Sequence, residues 1–166
     1  PQTVGAPKVD MSLKWRYADP LAQTFALNAG EDVPGAFVTS IDVFLRSVPE
    51  TTSQYANVPI QLQIRNVIAG VPERDMISNQ HRVYKSGAAC RTALSGMVTT
   101  NLTSVLAHPV TFTFDEPVYL TNGVEYAIVL IADCDEYEAY VASTYDFVLG
   151  SEAQRVSKQP ATGSLF

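Results

Sequence analysis

Strict alternation of apolar and polar residues runs through Ile60-Gln61-Leu62-Gln63-Ile64-Arg65. Successive side chains of a β-strand point to opposite faces, so this segment predicts a strand with one buried and one solvated face. Residues 110–114, Val-Thr-Phe-Thr-Phe, repeat the pattern with threonine on the outer face. β-branched and aromatic residues suit such a half-buried pleated surface. Both segments therefore favour an antiparallel sheet packed on a core.

Three further segments extend the predicted sheets. Residues 37–45 predict a strand whose buried face carries Phe37, Ile41, Val43 and Leu45. Residues 22–27 predict another strand, with Phe25 and Leu27 facing inward. Residues 126–131 are apolar on both faces, which predicts a central strand covered on both sides. We expect residues 137–141 to be its hairpin partner, across a turn at Asp133-Cys134-Asp135-Glu136.

Turn signals separate these segments at short intervals. They are Asn28-Ala29-Gly30, Val33-Pro34-Gly35, Ala69-Gly70-Val71-Pro72 and Thr121-Asn122-Gly123. Short strands with frequent turns predict an all-β fold, an antiparallel β-sandwich of jelly-roll-like type. Residues 73–106 have weak periodicity and predict one or two strands near residues 81–85 followed by a long loop, with a short helix over residues 88–94 as the alternative.

Length and composition restrict the classes of function. A chain of 166 residues fits one domain and needs no disulfide or metal to stabilise its core. The net charge of −6 and the scattered Lys and Arg residues argue against nucleic-acid binding. No apolar run has the length of a membrane span, so no membrane partner is predicted. Cys90 and Cys134 match no zinc or redox spacing, and we interpret them as ordinary thiols, with a disulfide as the alternative.

The two ends of the chain have the character of connections. Residues 1–18 are predicted to form a lead-in arm from a preceding region, residues 19–158 the β-sandwich domain, and residues 159–166 the start of a connection to a following region. The chain lacks an initiator Met and a signal peptide, and it stops on Gly163-Ser164-Leu165-Phe166. We therefore expect it to be one domain of a longer protein.

Several motifs together resemble the repeated structural domains of tail and baseplate proteins of tailed phages. The opening motif is Asp19-Pro20-Leu21-Ala22-Gln23-Thr24-Phe25, and Gly35-Ala36-Phe37-Val38-Thr39-Ser40-Ile41-Asp42-Val43-Phe44 follows it. Later matches are residues 60–65, Gly70-Val71-Pro72, residues 114–120, residues 125–130 and the tail at residues 159–166. The resemblance does not extend over residues 73–106.

The resemblance implies a non-enzymatic structural module of the virion. Its partners would be other tail or baseplate proteins, it would be multimeric in the particle, and it would be assembled in the host cytoplasm. No catalytic residue and no cofactor is implied. The contacts are expected in residues 73–106 and at the two termini, since loops carry specificity on a rigid scaffold. The alternative is a carbohydrate- or receptor-binding domain of a tail fibre, which would bind host-surface glycans.

Aromatic residues are the candidates for such glycan contacts. Our candidate binding residues are Trp15, Tyr17, Tyr137 and Tyr140, chosen from a wider set that includes Tyr55, Tyr84 and Tyr145. Glycan binding requires a flat exposed aromatic platform beside Asp, Asn or Arg. The alternative role is packing in the core or in a protein interface, where Tyr and Trp are also favoured.

Candidates for metal binding and catalysis are weak. Asp133 and Asp135, with Glu136 and Glu138, form an acidic turn of the kind that calcium favours, but the spacing is not that of an EF-hand. A solvated turn is the alternative. His81 and His108 belong to no catalytic motif, and Asp19, Asp42 and Asp115 are not predicted to form a carboxylate pair. A depolymerase, the third hypothesis, would require such a pair in a cleft.

Overall fold

The computed structural model describes residues 20–74 and 81–141, together with the backbone of three short strands before residue 20. The described residues form twelve strands and two short helices. In chain order they are β1 (Gln2–Val4), β2 (Lys8–Val9), β3 (Trp15–Arg16), β4 (Leu21–Ala26), β5 (Gly35–Val43), β6 (Leu45–Ser47), β7 (Ile60–Ile68), β8 (Val71–Pro72), β9 (Arg82–Lys85), α1 (Gly87–Ala93), α2 (Leu102–Leu106), β10 (Val110–Thr121), β11 (Glu125–Ala132) and β12 (Tyr137–Ala139). All strand pairs are antiparallel, and the sheets curl into a half-barrel, which confirms the predicted all-β sandwich.

The first layer has β11 at its centre, between β4 and β7. β8 and β9 both pair with the opposite edge of β7, at its two ends. Tyr126 and Leu130 of β11 pack into the main core cluster, while Ala127 and Val129 belong to a second cluster on the other face. The prediction of a central strand covered on both sides is therefore confirmed.

The second layer pairs β10 with β5. β6 continues β5 beyond Phe44 and pairs with β12, which in turn pairs with β1. The core lies between the two layers. The side chains of its main cluster that are at most 5% exposed include those of Leu45, Ile60, Leu62, Ile64, Val110, Phe112, Phe114, Val118, Leu120 and Tyr137.

One side of β7 departs from the prediction. Ile60, Leu62 and Ile64 are fully buried, as the alternation predicts, but Gln63 on the opposite face is also only 6% exposed. Its side-chain amide donates to Gln61 Oε1 at 2.8 Å, and Gln63 Oε1 accepts from Arg65 Nη2 at 2.6 Å. Because its polar atoms are satisfied by their neighbours, Gln63 tolerates burial. The prediction of a wholly solvated polar face is wrong at this residue.

A bulge places Phe37 on the opposite face from the one predicted. The paired positions Ser40↔Thr113 and Val38↔Val118 are two residues apart on β5 but five apart on β10. Thr39 and Ser40 are both exposed, so the inside–outside alternation of β5 slips by one residue there. Val38 consequently packs on the core, and Phe37 is 68% exposed.

The segment after β11 does not return as a hairpin. Residues 133–136 do form a bend, as predicted, but β12 pairs with β1 and β6 in the second layer. The predicted partnership between β12 and β11 is therefore wrong. Cys134 is buried within the bend and Tyr137 follows it into the core, so the chain crosses from one layer to the other through buried side chains.

The segment outside the family resemblance contains β9 and both helices. β9 matches the strand predicted near residues 81–85, and α1 matches the alternative of a short helix; α2 was not predicted. The N-cap of α1 is Ser86, whose hydroxyl accepts from the amide of Ala89, and Asn101 caps α2 in the same way. Each helix buries one main anchor in the core, Cys90 in α1 and Val105 in α2.

The ends of the chain are described only in part. β1 lies within the predicted lead-in arm and extends the second layer through β12. The predicted connection at residues 159–166 lies outside the described residues. Neither helix in the described part of the chain is long and apolar enough to cross a bilayer.

Candidate functional site

Two aromatic side chains meet on the outer face of the second layer. Phe37 of β5 and Tyr119 of β10 lie directly opposite each other in the strand register. Their ring centroids are 5.2 Å apart, with an interplanar angle of 61°, which is an edge-to-face arrangement. Phe37 is 68% exposed and Tyr119 is 45% exposed. We call these two residues the aromatic pair.

Gly35 leaves the space that the ring of Tyr119 occupies. A Cβ atom at Gly35 would lie 2.5 Å from Tyr119 Oη and 2.6 Å from Tyr119 Cζ, and it would also collide with the Leu120 carbonyl oxygen. The ring of Tyr119 therefore covers the space that a side chain at residue 35 would occupy. Since a backbone oxygen is part of the obstacle, a larger residue cannot be accommodated by a rotamer change of Tyr119 alone.

The loop beside the aromatic pair is held by the side chain of Asn122. Its Oδ1 accepts from the amide of Ala29 at 2.8 Å, and its Nδ2 donates to the Gly30 carbonyl at 2.8 Å. The amide of Asn122 also donates to the Pro34 carbonyl at 2.9 Å. These bonds join the turn after β10 to the loop before β5, so the end of the sandwich that carries the aromatic pair is fixed.

A groove runs along the seam between the two layers, where β9 faces β10. The described residues that line it are Arg82, Val83, Tyr84, Lys85, Thr113 and Asp115, and its volume is about 520 Å³. Lys85 Nζ donates to the Thr111 carbonyl at 2.6 Å and so bridges the seam. The guanidinium carbon of Arg82 lies 5.8 Å from the centroid of the Tyr84 ring, a cation–π contact. We call this feature the seam groove.

The structure separates the predicted aromatic candidates. Tyr137 is fully buried and its hydroxyl donates to the Val58 carbonyl at 2.6 Å, so its prediction as a surface contact is wrong. Tyr140 is half-buried, and its hydroxyl donates to the Thr99 carbonyl at 2.9 Å. For Trp15 only the backbone, in β3, is described, and Tyr17 lies outside the described residues. Among the described residues, these candidates therefore form no exposed aromatic platform.

The acidic turn does not form a metal site in the described part of the chain. No three His, Cys, Asp or Glu side chains converge there, and Asp133 and Asp135 are exposed. Glu136 Oε1 accepts from the Ser53 hydroxyl at 2.9 Å. Glu138 lies 3.4 Å from the guanidinium of Arg46. Glu136 and Glu138 thus contact side chains of the protein itself.

The two cysteines are free thiols in the main core cluster, which also contains Tyr137. Burial raises the pKa of the Cys90 thiol to about 11, although the charges of Lys85 and Arg91 oppose the shift. Burial also raises the pKa of Cys134 and of the Tyr137 phenol. A thiol that stays protonated and buried is a poor nucleophile. The interpretation of Cys90 and Cys134 as ordinary thiols fits this environment.

The remaining titratable candidates are two histidines and three aspartates. Burial lowers the pKa of His81, while His108 Nδ1 lies 2.6 Å from the Ser104 carbonyl oxygen. Asp42 accepts from the Thr111 hydroxyl at 2.5 Å across β5 and β10. Asp115 lines the seam groove, and Asp19 lies outside the described residues.

Sequence reasoning missed both surface features as sites. Tyr119 alternates with the buried residues Val118 and Leu120, so its exposure is readable from the pattern. The position of Phe37 is not, because it depends on the bulge in β5 and β10. The seam groove joins residues from β9 and β10, and no local pattern indicates that these strands face each other.

Comparisons with known proteins assign no family to the chain. No protein-family model, no curated protein and no solved structure matches the chain.

Proposed function

We propose that the chain is a non-enzymatic structural module of a tailed-phage virion, and that it docks neighbouring tail or baseplate subunits. The observation that carries this proposal is the aromatic pair, two exposed rings in contact on a sheet face. Aromatic side chains dominate the centres of protein interfaces because they bury about 150–250 Å² each at a low cost in conformational entropy.

The surroundings of the pair suit an interface. Exposed hydroxyl residues lie near it on the same two strands, namely Thr39 and Ser40 on β5 and Thr121 on β10. An apolar centre with a polar rim is the usual composition of a specific, reversible contact. The absence of a side chain at Gly35 leaves room for the Tyr119 ring, which packs edge-to-face on Phe37, so part of its order is established before a partner arrives.

The motifs behind the family resemblance become the strands that build the sandwich. Residues 21–25 form most of β4, residues 35–43 form β5, residues 60–65 begin β7, and residues 125–130 begin β11. Residues 114–120 lie in β10 and contribute Tyr119. β9, α1 and α2 lie outside the resemblance, and we propose that they supply contacts specific to this chain's own neighbours.

The first test is the location of the chain in purified particles of the phage that encodes it. Gold-labelled antibodies raised against the purified chain are expected to mark the tail or the baseplate. A particle that carries no label, when the same antibodies detect the chain in infected cells, would contradict the proposal. Label confined to distal fibre tips would favour the receptor-binding alternative.

The second test asks whether the aromatic pair is the docking surface. Phages that carry Phe37→Ser and Tyr119→Ser together are expected to incorporate the protein at least about tenfold less, because interface hot spots contribute about 2 kcal/mol or more each. The matched control is Ile68→Ser with Val71→Ser. These residues also face each other across a strand pair, and they are 62% and 57% exposed. Equal incorporation of the two variants would exclude the aromatic pair as the docking surface.

A further inference from the structure

We propose that the seam groove is a second binding site and that it takes a neutral saccharide. The inference goes beyond the docking role and does not rest on it, because the groove and the aromatic pair are formed by different residues. Of the aromatic residues predicted as binding contacts, Tyr137 and Tyr140 have described side chains, and neither lines the groove. Among the described lining residues, Tyr84 is the aromatic one, and it is 56% exposed.

The hydrogen-bonding groups of the groove favour a ligand with adjacent hydroxyls. Arg82 offers only donors, an ionised Asp115 offers only acceptors, and the Thr113 hydroxyl offers both. Within the described residues, neither Arg82 nor Asp115 forms a hydrogen bond or an ion pair with another side chain. Each hydroxyl of a sugar both donates and accepts, so one ring satisfies the cation and the carboxylate together.

The charges of the groove argue for a neutral ligand. Arg82 and Asp115 carry opposite charges and line the same cavity without pairing. Lys85, which donates to the Thr111 carbonyl across the seam, keeps its positive charge, so the lining carries charges of both signs. An anionic ligand would meet the carboxylate of Asp115, and a cationic ligand would meet the guanidinium of Arg82. Like charges brought together in a partly desolvated site oppose binding, whereas a neutral polyol meets no such repulsion.

Tyr84 supplies the apolar surface that the C–H face of a sugar ring needs. The cation–π contact with Arg82 at 5.8 Å favours one orientation of the ring on β9. An amphipathic ring of this kind presents a flat apolar face and a polar edge to the same ligand. Tyr84 therefore supplies the aromatic surface of the groove, Arg82 its hydrogen-bond donors and Asp115 its acceptors.

The size and rigidity of the groove fit a small saccharide. Its volume of about 520 Å³ lies within the range of about 300–1,000 Å³ found for small-molecule sites. Tyr84 and Arg82 project from a strand whose register places them opposite Gln61 and Gln63 of β7. Thr113 and Asp115 are held on β10. Side chains on strands keep their geometry better than side chains on mobile loops.

The test is a titration of the isotopically labelled chain, followed by backbone amide NMR. The probes are methyl α-D-glucopyranoside, methyl α-D-mannopyranoside and methyl β-D-galactopyranoside. At least one is expected to shift the amide signals of residues 82–85 and 111–116 with a dissociation constant on the order of 1 mM or tighter. Glucuronate and glucosamine, which carry a negative and a positive charge, are expected to bind more weakly.

Variants show whether the named groups make the contacts. Tyr84→Ala and Asp115→Asn are each expected to weaken binding at least about tenfold. Tyr84→Phe, which keeps the ring, is expected to stay within about threefold of the unmodified chain. The matched controls are Ile68→Ala and Asp133→Asn, an exposed apolar residue and an exposed carboxylate outside the groove. Neither is expected to change the affinity.

Several results would overturn the inference. One is the absence of any shift in the groove with all three neutral sugars. Another is tighter binding of glucuronate or glucosamine than of every neutral sugar. A third is unchanged affinity in Tyr84→Ala and Asp115→Asn, with amide spectra that show both variants to be folded. Failure of this test leaves the particle-labelling test of the docking role unaffected, so the two proposals are distinguished.

Discussion

Tyr137 joins three parts of the molecule through one side chain. Its ring is fully buried, and its hydroxyl donates to the carbonyl of Val58, in the loop that precedes β7, at 2.6 Å. A Cβ atom at Gly87 would lie 3.4 Å from the same hydroxyl, an ordinary van der Waals distance, so the start of α1 lies beside it. The phenol is thus a buried connection between β12, this loop and α1.

Removal of this hydroxyl is expected to destabilise the protein. Tyr137→Phe should lower the free energy of unfolding by about 1–3 kcal/mol, because the Val58 carbonyl loses its buried donor. Urea denaturation at neutral pH measures the change. The matched control is Tyr140→Phe, whose hydroxyl donates to Thr99 in an exposed environment. Water replaces that bond, so we expect a loss below about 1 kcal/mol. Similar losses in the two variants would contradict the buried role of Tyr137.

At the scale of elements, α1 is fastened to the body by an arginine. Arg91 Nη1 donates to the Pro49 carbonyl at 2.7 Å and to the Ala56 carbonyl at 3.0 Å. Both acceptors lie in the segment between β6 and β7. The helix has only two turns, and an isolated helix of that length is unstable in water. Its order therefore depends on this contact and on the burial of Cys90.

Arg91→Ala is expected to lower the free energy of unfolding by about 1.5–3 kcal/mol, since the charged donor of two hydrogen bonds is lost. Hydrogen exchange at residues 90–94 should become faster than in the rest of the core. The control is Arg46→Ala, which removes an exposed ion pair with Glu138 at 3.4 Å and should cost at most about 1 kcal/mol. Unchanged exchange in α1 would show that the helix does not depend on the Arg91 contacts.

The sequence was sufficient to predict strands whose burial shows in a local pattern of apolar residues. β7 and β11 are recognisable because alternation or continuous apolarity reports directly on burial. β5 was recognised as a strand, yet Phe37 was assigned to the wrong face because a bulge depends on both strands of a pair. The partner of β12 was also wrong, since the bend at residues 133–136 fits a hairpin and a crossing between layers equally well.

The candidate sites were less predictable than the strands. Tyr137 and Tyr140 are indistinguishable by residue type, and only the packing of β12 against the core separates the buried ring from the half-buried one. The seam groove requires β9 and β10 to face each other, which is a property of the tertiary fold. Composition could indicate that aromatic residues were available, but it could not select Tyr84.

For the whole molecule, the buried thiols couple stability to pH. Burial raises the pKa of Cys90 from 9.0 to about 11, and it raises the pKa of Cys134 and Tyr137 as well. The unfolded chain therefore loses these protons at lower pH than the folded chain. Their contribution to stability is complete below about pH 9 and is lost as the pH rises towards the folded-state pKa values.

We expect the free energy of unfolding to fall between pH 9 and about pH 11, by at most about 1.4 kcal/mol per pH unit for each group. Urea denaturation across this range, with a reducing agent present, measures the slope. Cys90→Ala leaves a cavity in the core and is less stable at every pH. The quantity to compare is therefore the slope of the free energy of unfolding against pH, not its absolute value. The variant should have a shallower slope, and parallel curves would show that Cys90 does not titrate in this way.

The pairing of β4 with β11 has a consequence for biosynthesis. Leu21 pairs with Leu130, so the two partners lie 109 positions apart along the chain. At a ribosomal rate of about 5–20 residues per second, β4 waits about 5–20 seconds for its partner to be made. During that interval the apolar side chains of Leu21 and Phe25 have no sheet to join. The newly made chain is therefore a natural client for chaperones that bind extended apolar segments, and its yield on expression should depend on them.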